Sequence, residues 1–344
     1  MLALVKTQKG VGNLELRDVP EPEIGDDETL IEVRAAGICG TDLHVKHDTF
    51  PYWPPVILGH EFAGVIAEVG PAVEGWHVGD RVVGEPHTLH CGSCSLCRRG
   101  HIQLCKEKRS PGWGIDGAFA RYLKYPPKLL HRIPDSMSFE HAALVEPAAN
   151  GVTHVVERGV IEAGDFVVLL GPGPIGLMAA QVARTAGARE VLVVGSPADE
   201  GLRLGAARRL GFERVINFAE TDPVETCLHL TGGTGADLVI ECSGAPAAIS
   251  QTVAMVRPWG RVCGIGLTGK KPVELDWDTA MLKNITLYLN MSTAYASWDK
   301  TIWMMAGGKI DVEPVLTHQL PLTEWEQGFA ALENMEAIKV VLRP

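Results

Sequence analysis

Four of the eight cysteines crowd into fifteen residues as Cys91-x2-Cys94-x2-Cys97-x7-Cys105. Thiolates at that spacing can surround one tetrahedral zinc ion at about 2.3 Å per sulfur. Such a set leaves no open position, so it predicts a structural site that stabilises a loop and performs no reaction. A redox CxxC pair or a group of core cysteines fits less well, because the loop is polar and contains Gly and Arg. Upstream, Cys39 and the pair His60-Glu61 offer a thiolate, an imidazole and a carboxylate, donors suited to a metal that also binds a reactant. On residue type alone each has a plainer reading, since a buried cysteine is usually a small hydrophobe and a His-Glu pair a surface feature. A third constellation, Gly171-Pro172-Gly173-Pro174-Ile175-Gly176, stands between the apolar run 166–170 and the helix-like run 177–185. In this GxGxxG the glycines permit a tight turn and close approach to a pyrophosphate, while the helix N-terminus adds partial positive charge. Gly171, Gly173, Pro174, Ile175 and Gly176 are therefore expected to face a dinucleotide.

These groups need elements to position them, and the chain changes rhythm once. Residues 1–149 carry short β-rich runs, such as 30–35 and 64–70, broken by Pro and Gly, which predicts a mainly β domain. After Glu162-Ala163-Gly164-Asp165, continuous apolar runs alternate with helix-length segments, the signature of parallel βαβ units. The runs 166–170, 191–194, 214–217, 238–242, 261–265 and 285–291 supply six strands for a doubly wound sheet. The tail has helical periodicity at 298–305 and near 323–332, then the apolar run 339–342, and periodicity does not say which domain it joins. A length of 344 residues suits two cores joined by short connections, with a ligand cleft between them.

Composition narrows the partners. The formal charge of −11 is spread without a basic stripe, which argues against nucleic acid. No run of 18 apolar residues and no leader-like N-terminus occurs, so no membrane partner is expected and the cytoplasm is the default location. A reducing compartment favours metal over disulfides for the clustered cysteines.

Gly37-Ile38-Cys39-Gly40-Thr41-Asp42-Leu43-His44, Gly59-His60-Glu61, the four-cysteine loop and the glycine loop occur in the order of the zinc-dependent medium-chain dehydrogenase/reductase family. The chain resembles that family along essentially its whole length. The resemblance implies an α/β protein: a GroES-like mainly-β catalytic domain from residues 1–149 and 294–344, and a Rossmann NAD(P)-binding domain, a doubly wound parallel sheet, from residues 150–293. It implies two Zn²⁺ per chain, a structural one on Cys91, Cys94, Cys97 and Cys105 and a catalytic one on Cys39 and His60, with Glu61 as a nearby or alternating ligand. Glu146, in Leu144-Val145-Glu146-Pro147, matches a carboxylate of the sorbitol and threonine dehydrogenase branches that binds the metal or holds its water. Thr41 resembles the hydroxyl that starts the family's proton relay, and His44 its solvent-side end.

The implied reaction is hydride transfer between the carbinol carbon of a secondary alcohol, a polyol, sugar alcohol or amino-alcohol, and NAD(P)⁺. L-Threonine 3-dehydrogenation is the alternative, because Gly84-Glu85-Pro86-His87 is similar to a threonine dehydrogenase stretch whose histidine assists the substrate. Residues around Trp113, Phe119 and 290–295 are expected to line the pocket. A non-catalytic nucleotide-binding protein on the same scaffold is the rival of another class, opposed by the retained Cys39, His60, Glu61 and Thr41. The family also implies a homo-dimer or homo-tetramer. For the cofactor, an NAD site normally carries an acid at the end of the second strand, yet here Gly195-Ser196-Pro197 follow and the first acid is Asp199. Ser196 would tolerate a 2′-phosphate, with Arg203 and Arg208 as distant cations. The balance favours NAD over NADP.

Overall fold

Strand Thr29–Gly37 alternates buried and half-buried side chains through its first half and is buried at its end, the period-two pattern of a sheet with one packed face. In the computed structural model, which describes residues 1–269 and 272–344, this strand is the centre of a seven-stranded sheet. Glu61–Val69 pairs with it antiparallel, followed by Arg81–Gly84 and Leu130–Arg132. Lys339–Arg343 and Tyr122–Tyr125 pair with its two ends on the other side, and Leu316–Pro321 extends the sheet beyond Lys339–Arg343. A smaller sheet sets Leu2–Lys6 between Leu14–Asp18 and Val56–Ile57. Ile31, Phe62, Ile66, Phe119 and Tyr125 fill the core these strands enclose. The unit comprises Met1–Glu146, Thr293–Ala306 and Leu316–Pro344.

The second unit comprises Pro147–Ser292 and Gly307–Val315. Its first strand, Phe166–Leu170, is buried along its whole length, as a central parallel strand must be. Six parallel strands lie in the spatial order Arg214–Asn217, Glu190–Gly195, Phe166–Leu170, Ala236–Glu241, Val256–Gly264, Thr286–Leu289. In chain order this is 3-2-1-4-5-6, the doubly wound arrangement, with the winding reversing between Phe166–Leu170 and Ala236–Glu241. The helix Pro174–Thr185 packs on Phe166–Leu170 and Glu190–Gly195.

The tail expected to act as one piece over 294–344 is divided, because Gly307–Val315 groups with the parallel sheet. Gln181 holds it there: Nε2 donates to Asp311 O at 2.9 Å and Oε1 accepts from Asp311 N at 2.7 Å. The boundary falls inside the helix Val145–Val152, just after Glu146. Among the described residues no helix is long and apolar enough to cross a membrane.

Candidate active site

The four cysteines sit on a loop with only two short 3₁₀ turns, Cys97–Arg99 and Ile102–Leu104. Their Sγ atoms all lie within 4.8 Å of one another and none is in a disulfide. Backbone N–H groups point at the sulfurs, Cys94 N to Cys91 Sγ at 3.3 Å and Cys97 N to Cys94 Sγ at 3.4 Å. The N–H of Cys94, then those of neighbouring groups, lower the Cys91 thiol to about 6, whereas burial and the adjoining thiols push Cys97 up to about 12. Sulfurs this close cannot all shed their protons without a cation between them. Leu89 and Leu104 are exposed, Ile102 packs against the core, and Cys105 is the one buried cysteine of the four. The donor set fits a structural zinc.

The second cluster is assembled from separate elements. Cys39 precedes the helix Gly40–Lys46, and His60 directly precedes the strand Glu61–Val69, which Glu61 opens. One donor atom from each of Cys39, His60 and Glu61 lies within 4.8 Å of the others. Asp42, fully buried, ties the two segments together: Oδ2 accepts from Cys39 N at 2.9 Å and Oδ1 from Gly59 N at 3.3 Å. Gly59 adopts φ +91°, and a Cβ there would lie 2.6 Å from the Phe119 ring, so only glycine brings His60 around this corner.

His60 is enclosed, and its Nδ1 has no hydrogen-bond partner. Burial pushes its imidazole down, but Cys39 first, with Asp42 and Glu146 behind it, raises it to about 10. The pocket is therefore short of positive charge and holds an unsatisfied nitrogen, two deficits that a divalent cation among Cys39, His60 and Glu61 would remove.

Part of that deficit is met by Lys339, which the sequence reading did not single out. Its Nζ forms a buried ion pair with Glu61 Oε2 and donates to Ile38 O at 2.8 Å. Burial opposes the charge, yet Glu61 and then Cys39 hold the ammonium above the ordinary lysine value. A Cβ on Gly37 would sit 2.3 Å from Glu61 Oε2, so this pair also needs a glycine. The signal was present, because a lysine opening an otherwise apolar strand is rarely buried without a partner.

The remaining expected residues divide. Thr41 Oγ1 stands 3.8 Å from Cys39 Sγ, beside the cluster. His44 is exposed on the same helix with Nδ1 3.1 Å from Thr49 Oγ1. Glu146 is buried in the first turn of Val145–Val152 and lies outside the three-donor group, although its charge reaches His60 and Lys339. Trp113 packs edge-on against Phe50, with centroids 5.4 Å apart. Phe119 does not line a pocket: it is fully buried as the wedge beneath Gly59, where an apolar ring supports the turn before His60. Asn290, also expected at the pocket, accepts from Arg158 Nε at 2.9 Å.

In the second unit, Gly171 leaves the first strand with φ +95°, and a Cβ there would meet Ser243 N at 2.7 Å. A Cβ on Gly176 would lie 2.1 Å from Gly171 O, so the helix can approach the strand only through glycine. Gly173 differs, because nothing lies within 4 Å of its virtual Cβ. It caps the helix Pro174–Thr185 without a side-chain bond, leaving open space over helix N–H groups where an anion is favoured. Pro174 takes the first helical position, and Ile175 follows it. Beyond the second strand, Asp199 Oδ2 accepts from Ser196 N at 2.8 Å and Ser196 Oγ at 2.6 Å, while Oδ1 pairs with Arg203 at 3.1 Å. Arg208 pairs with Glu200 at 2.9 Å.

Comparison with known proteins agrees with this layout. Residues 25–135 match the alcohol dehydrogenase GroES-like domain and residues 174–306 the zinc-binding dehydrogenase family. The chain is 37% identical to a sorbitol dehydrogenase of Halalkalibacterium halodurans, covering 100% of this chain and 99% of that one. It is 36% identical to an L-threonine 3-dehydrogenase of Bacillus velezensis, covering 100% and 99%. The solved alcohol dehydrogenase TADH from Thermus sp. ATN1 superposes with a TM-score of 0.90 at 32% identity, covering 100% and 99%.

Proposed function

The chain belongs to the zinc-dependent medium-chain dehydrogenases of the alcohol dehydrogenase superfamily, and from that premise we propose which of its residues carry the chemistry. It is an NAD(P)-dependent zinc dehydrogenase of secondary alcohols of the polyol or amino-alcohol kind. The observation that carries the residue assignment is the convergence of one donor atom each from Cys39, His60 and Glu61 to within 4.8 Å, with His60 Nδ1 left without a hydrogen-bond partner.

Cys39 and His60 would hold the catalytic zinc, with Glu61, which is paired with Lys339, as a nearby or alternating ligand. When bound, zinc supplies Lewis acidity that lowers the pKa of an alcohol oxygen towards neutrality. Thr41 Oγ1, next to Cys39 Sγ, accepts the proton that the alcohol oxygen loses while giving up its own hydroxyl proton into a relay whose solvent-side end is His44. Asp42 holds Cys39 and the His60 turn in register, so the donors are preorganised. Glu146 acts on the site through its charge, and would bind the metal or hold its water. Cys91, Cys94, Cys97 and Cys105 hold a second zinc, giving two per chain.

Gly171, Gly173, Pro174, Ile175 and Gly176 cradle the pyrophosphate of the nicotinamide cofactor. NAD is the preferred form, because the two arginines near Ser196 are already paired: Arg203 with Asp199 and Arg208 with Glu200. A 2′-phosphate would meet neutralised partners.

The parallel sheet ends in Thr286–Leu289, an edge strand that exposes Leu287, Leu289 and Met291 nearby. Such an edge suits pairing with a second copy of itself, which supports a homo-oligomer.

The test is a steady-state screen of sorbitol, L-threonine and 2,3-butanediol with both cofactors, alongside metal counting on the purified protein. Turnover of at least one alcohol, about two zinc ions per chain and a higher kcat/KM with NAD⁺ are expected. Full activity in protein stripped of every metal would overturn the assignment.

A further inference from the structure

A doubly wound sheet receives its ligand at the carboxyl ends of its strands, where the winding reverses. Here that point lies between Phe166–Leu170 and Ala236–Glu241, and the second of these strands ends on Glu241, in register with Leu170. The Glu241 side chain is buried, and among the described residues it has no ion pair. Neutral donors meet its charge instead. Oε1 accepts from Ser243 N at 2.8 Å, from Gly244 N at 3.0 Å and from the Ser243 hydroxyl, and Oε2 accepts from Gly244 N at 3.2 Å. Ser243 Oγ in turn accepts from Ala245 N at 3.0 Å. The Glu241 carbonyl takes Ile265 N at 2.8 Å and Gly266 N at 3.1 Å, from the loop after the fifth strand, Val256–Gly264. One residue therefore ties the turns after the fourth and fifth strands together, with charge-assisted bonds that a neutral or apolar side chain would not supply.

Close backbone approach leaves this junction little room to adjust. A Cβ on Gly266 would lie 2.7 Å from Glu241 Oε2 and would overlap Gly244 N, and Gly244 itself adopts φ +65°. The junction also abuts the glycine loop. The Cβ that Gly171 lacks would meet Ser243 N at 2.7 Å, and the one that Gly176 lacks would meet Cys242 Cβ at 3.4 Å. Cys242 N donates to Leu170 O at 2.8 Å, which keeps the exit of the fourth strand in register with that of the first. The second and third strands lie on the other side of Phe166–Leu170, with Ser196 directly after the second. The adenosine half of a dinucleotide, whose ribose is read at the end of the second strand, belongs to that side. The nicotinamide half belongs to the side of the Glu241 junction.

We infer that Glu241 is a positioning residue for the nicotinamide half of the cofactor: its carboxylate fixes the turn 243–245 between the glycine loop and the turn after the fifth strand, so that this half of the crevice has its shape before the cofactor arrives. The inference rests on the reading of residues 171–176 as the cradle of a nicotinamide cofactor, and it names the residue that shapes the other half of that site. Glu241 touches no ligand, because both carboxylate oxygens are engaged by Ser243 and Gly244. Without the carboxylate those two N–H groups lose their acceptor, and the turn beside Gly171 must be ordered at each binding event, which costs affinity.

The experiment uses zinc-loaded, cofactor-free protein and compares the wild type with Glu241→Ala, Glu241→Gln and Ser243→Ala. NADH binding is followed by fluorescence titration, and binding of AMP, which carries only the adenosine half, by ligand-observed NMR. Glu241→Ala should weaken NADH about tenfold or more and leave AMP within about twofold of the wild type. Glu241→Gln keeps one oxygen for the Ser243 and Gly244 amides and should recover most of the NADH affinity. Ser243→Ala removes one donor while leaving the carboxylate in place, and should lose about threefold for NADH alone. In turnover, the KM for NAD⁺ should follow the NADH dissociation constant while the KM for the alcohol stays unchanged. Unchanged NADH affinity in Glu241→Ala would overturn the inference. So would a parallel loss of NADH and AMP, since Glu241 would then only maintain the sheet. If Glu241→Ala does not fold, Ser243→Ala decides, and wild-type NADH affinity there overturns the inference. A wild type that binds neither NADH nor NADPH overturns the cofactor reading and this inference with it, whereas NADH binding that ignores Glu241 overturns this inference alone.

Discussion

The mainly β unit holds two clusters of metal donors built by opposite means. Cys91, Cys94, Cys97 and Cys105 come from one loop, organised by short-range backbone hydrogen bonds and by amides aimed at the sulfurs. Cys39, His60 and Glu61 come from two segments set by a sheet, an aspartate clamp, two obligatory glycines and a lysine from the far end of the chain. On the proposed assignment, a metal would hold the loop in the first case, whereas in the second the protein holds its donors ready for one. The contrast predicts that damage to the loop unfolds it locally, while damage to the buried cluster removes activity or destabilises the whole unit.

The sharpest way to break this contrast is Cys39→Ser. Hydride transfer should fall by at least about a thousandfold, since the Lewis acid loses its thiolate, while the four-cysteine loop keeps its metal. Turnover measured beside metal content and a circular dichroism melt would check both halves. Next in size, Lys339→Met leaves the Glu61 carboxylate buried without its cation and should cost about 3–5 kcal/mol in urea denaturation. A cost below about 1 kcal/mol would show that Glu61 does not need Lys339. Cys94→Ser should act more locally, opening residues 91–105 to trypsin at Arg98 and Arg99 while the Cys39 cluster still binds its metal. Limited proteolysis with mapping of the first cuts would separate this from global unfolding.

The smallest expected effect concerns pH. His131 is buried, 3.3 Å from Glu85 Oε1 and 2.8 Å from Asp299 Oδ1, and stacks on Trp298. Burial pulls its pKa down, but Glu85 and Asp299 outweigh that and raise it above the ordinary histidine value. A raised folded-state pKa means the protonated form stabilises the fold. That contribution is fully present below about pH 6.5, the unfolded value, and fades as pH rises through the folded value. Tm should therefore decline across that window, and His131→Phe should flatten the decline.

The same contrast explains what was legible beforehand. The four-cysteine site could be read because all its information lies in fifteen consecutive residues. The central parallel strands were legible because a strand buried on both faces is continuously apolar, and the glycine loop because its position between strand and helix is local. Asp42 and Lys339 were not read as parts of the site, since each matters through a partner fixed only by the fold. Phe119 was misplaced for a related reason: an aromatic residue near a glycine-rich stretch suits a pocket wall or a wedge beneath a turn, and packing alone distinguishes them. The grouping of Gly307–Val315 with the parallel sheet rests on Gln181, Thr185 and three buried apolar side chains, and has no period to reveal it.

The Glu61–Lys339 pair also bears on the order of events during synthesis. The four-cysteine loop can close on a metal as soon as residue 105 has left the ribosome. The buried cluster has Cys39, His60 and Glu61 early, but its compensating ammonium arrives only with the strand Lys339–Arg343, which pairs through Val341 and Leu342 with Gly37 and Ala36. Until then Glu61 has no cation of the chain's own to face. If both clusters bind zinc as proposed, the loop should mature first and the buried cluster last, and a nascent chain stalled before residue 339 should carry one zinc firmly and the other weakly.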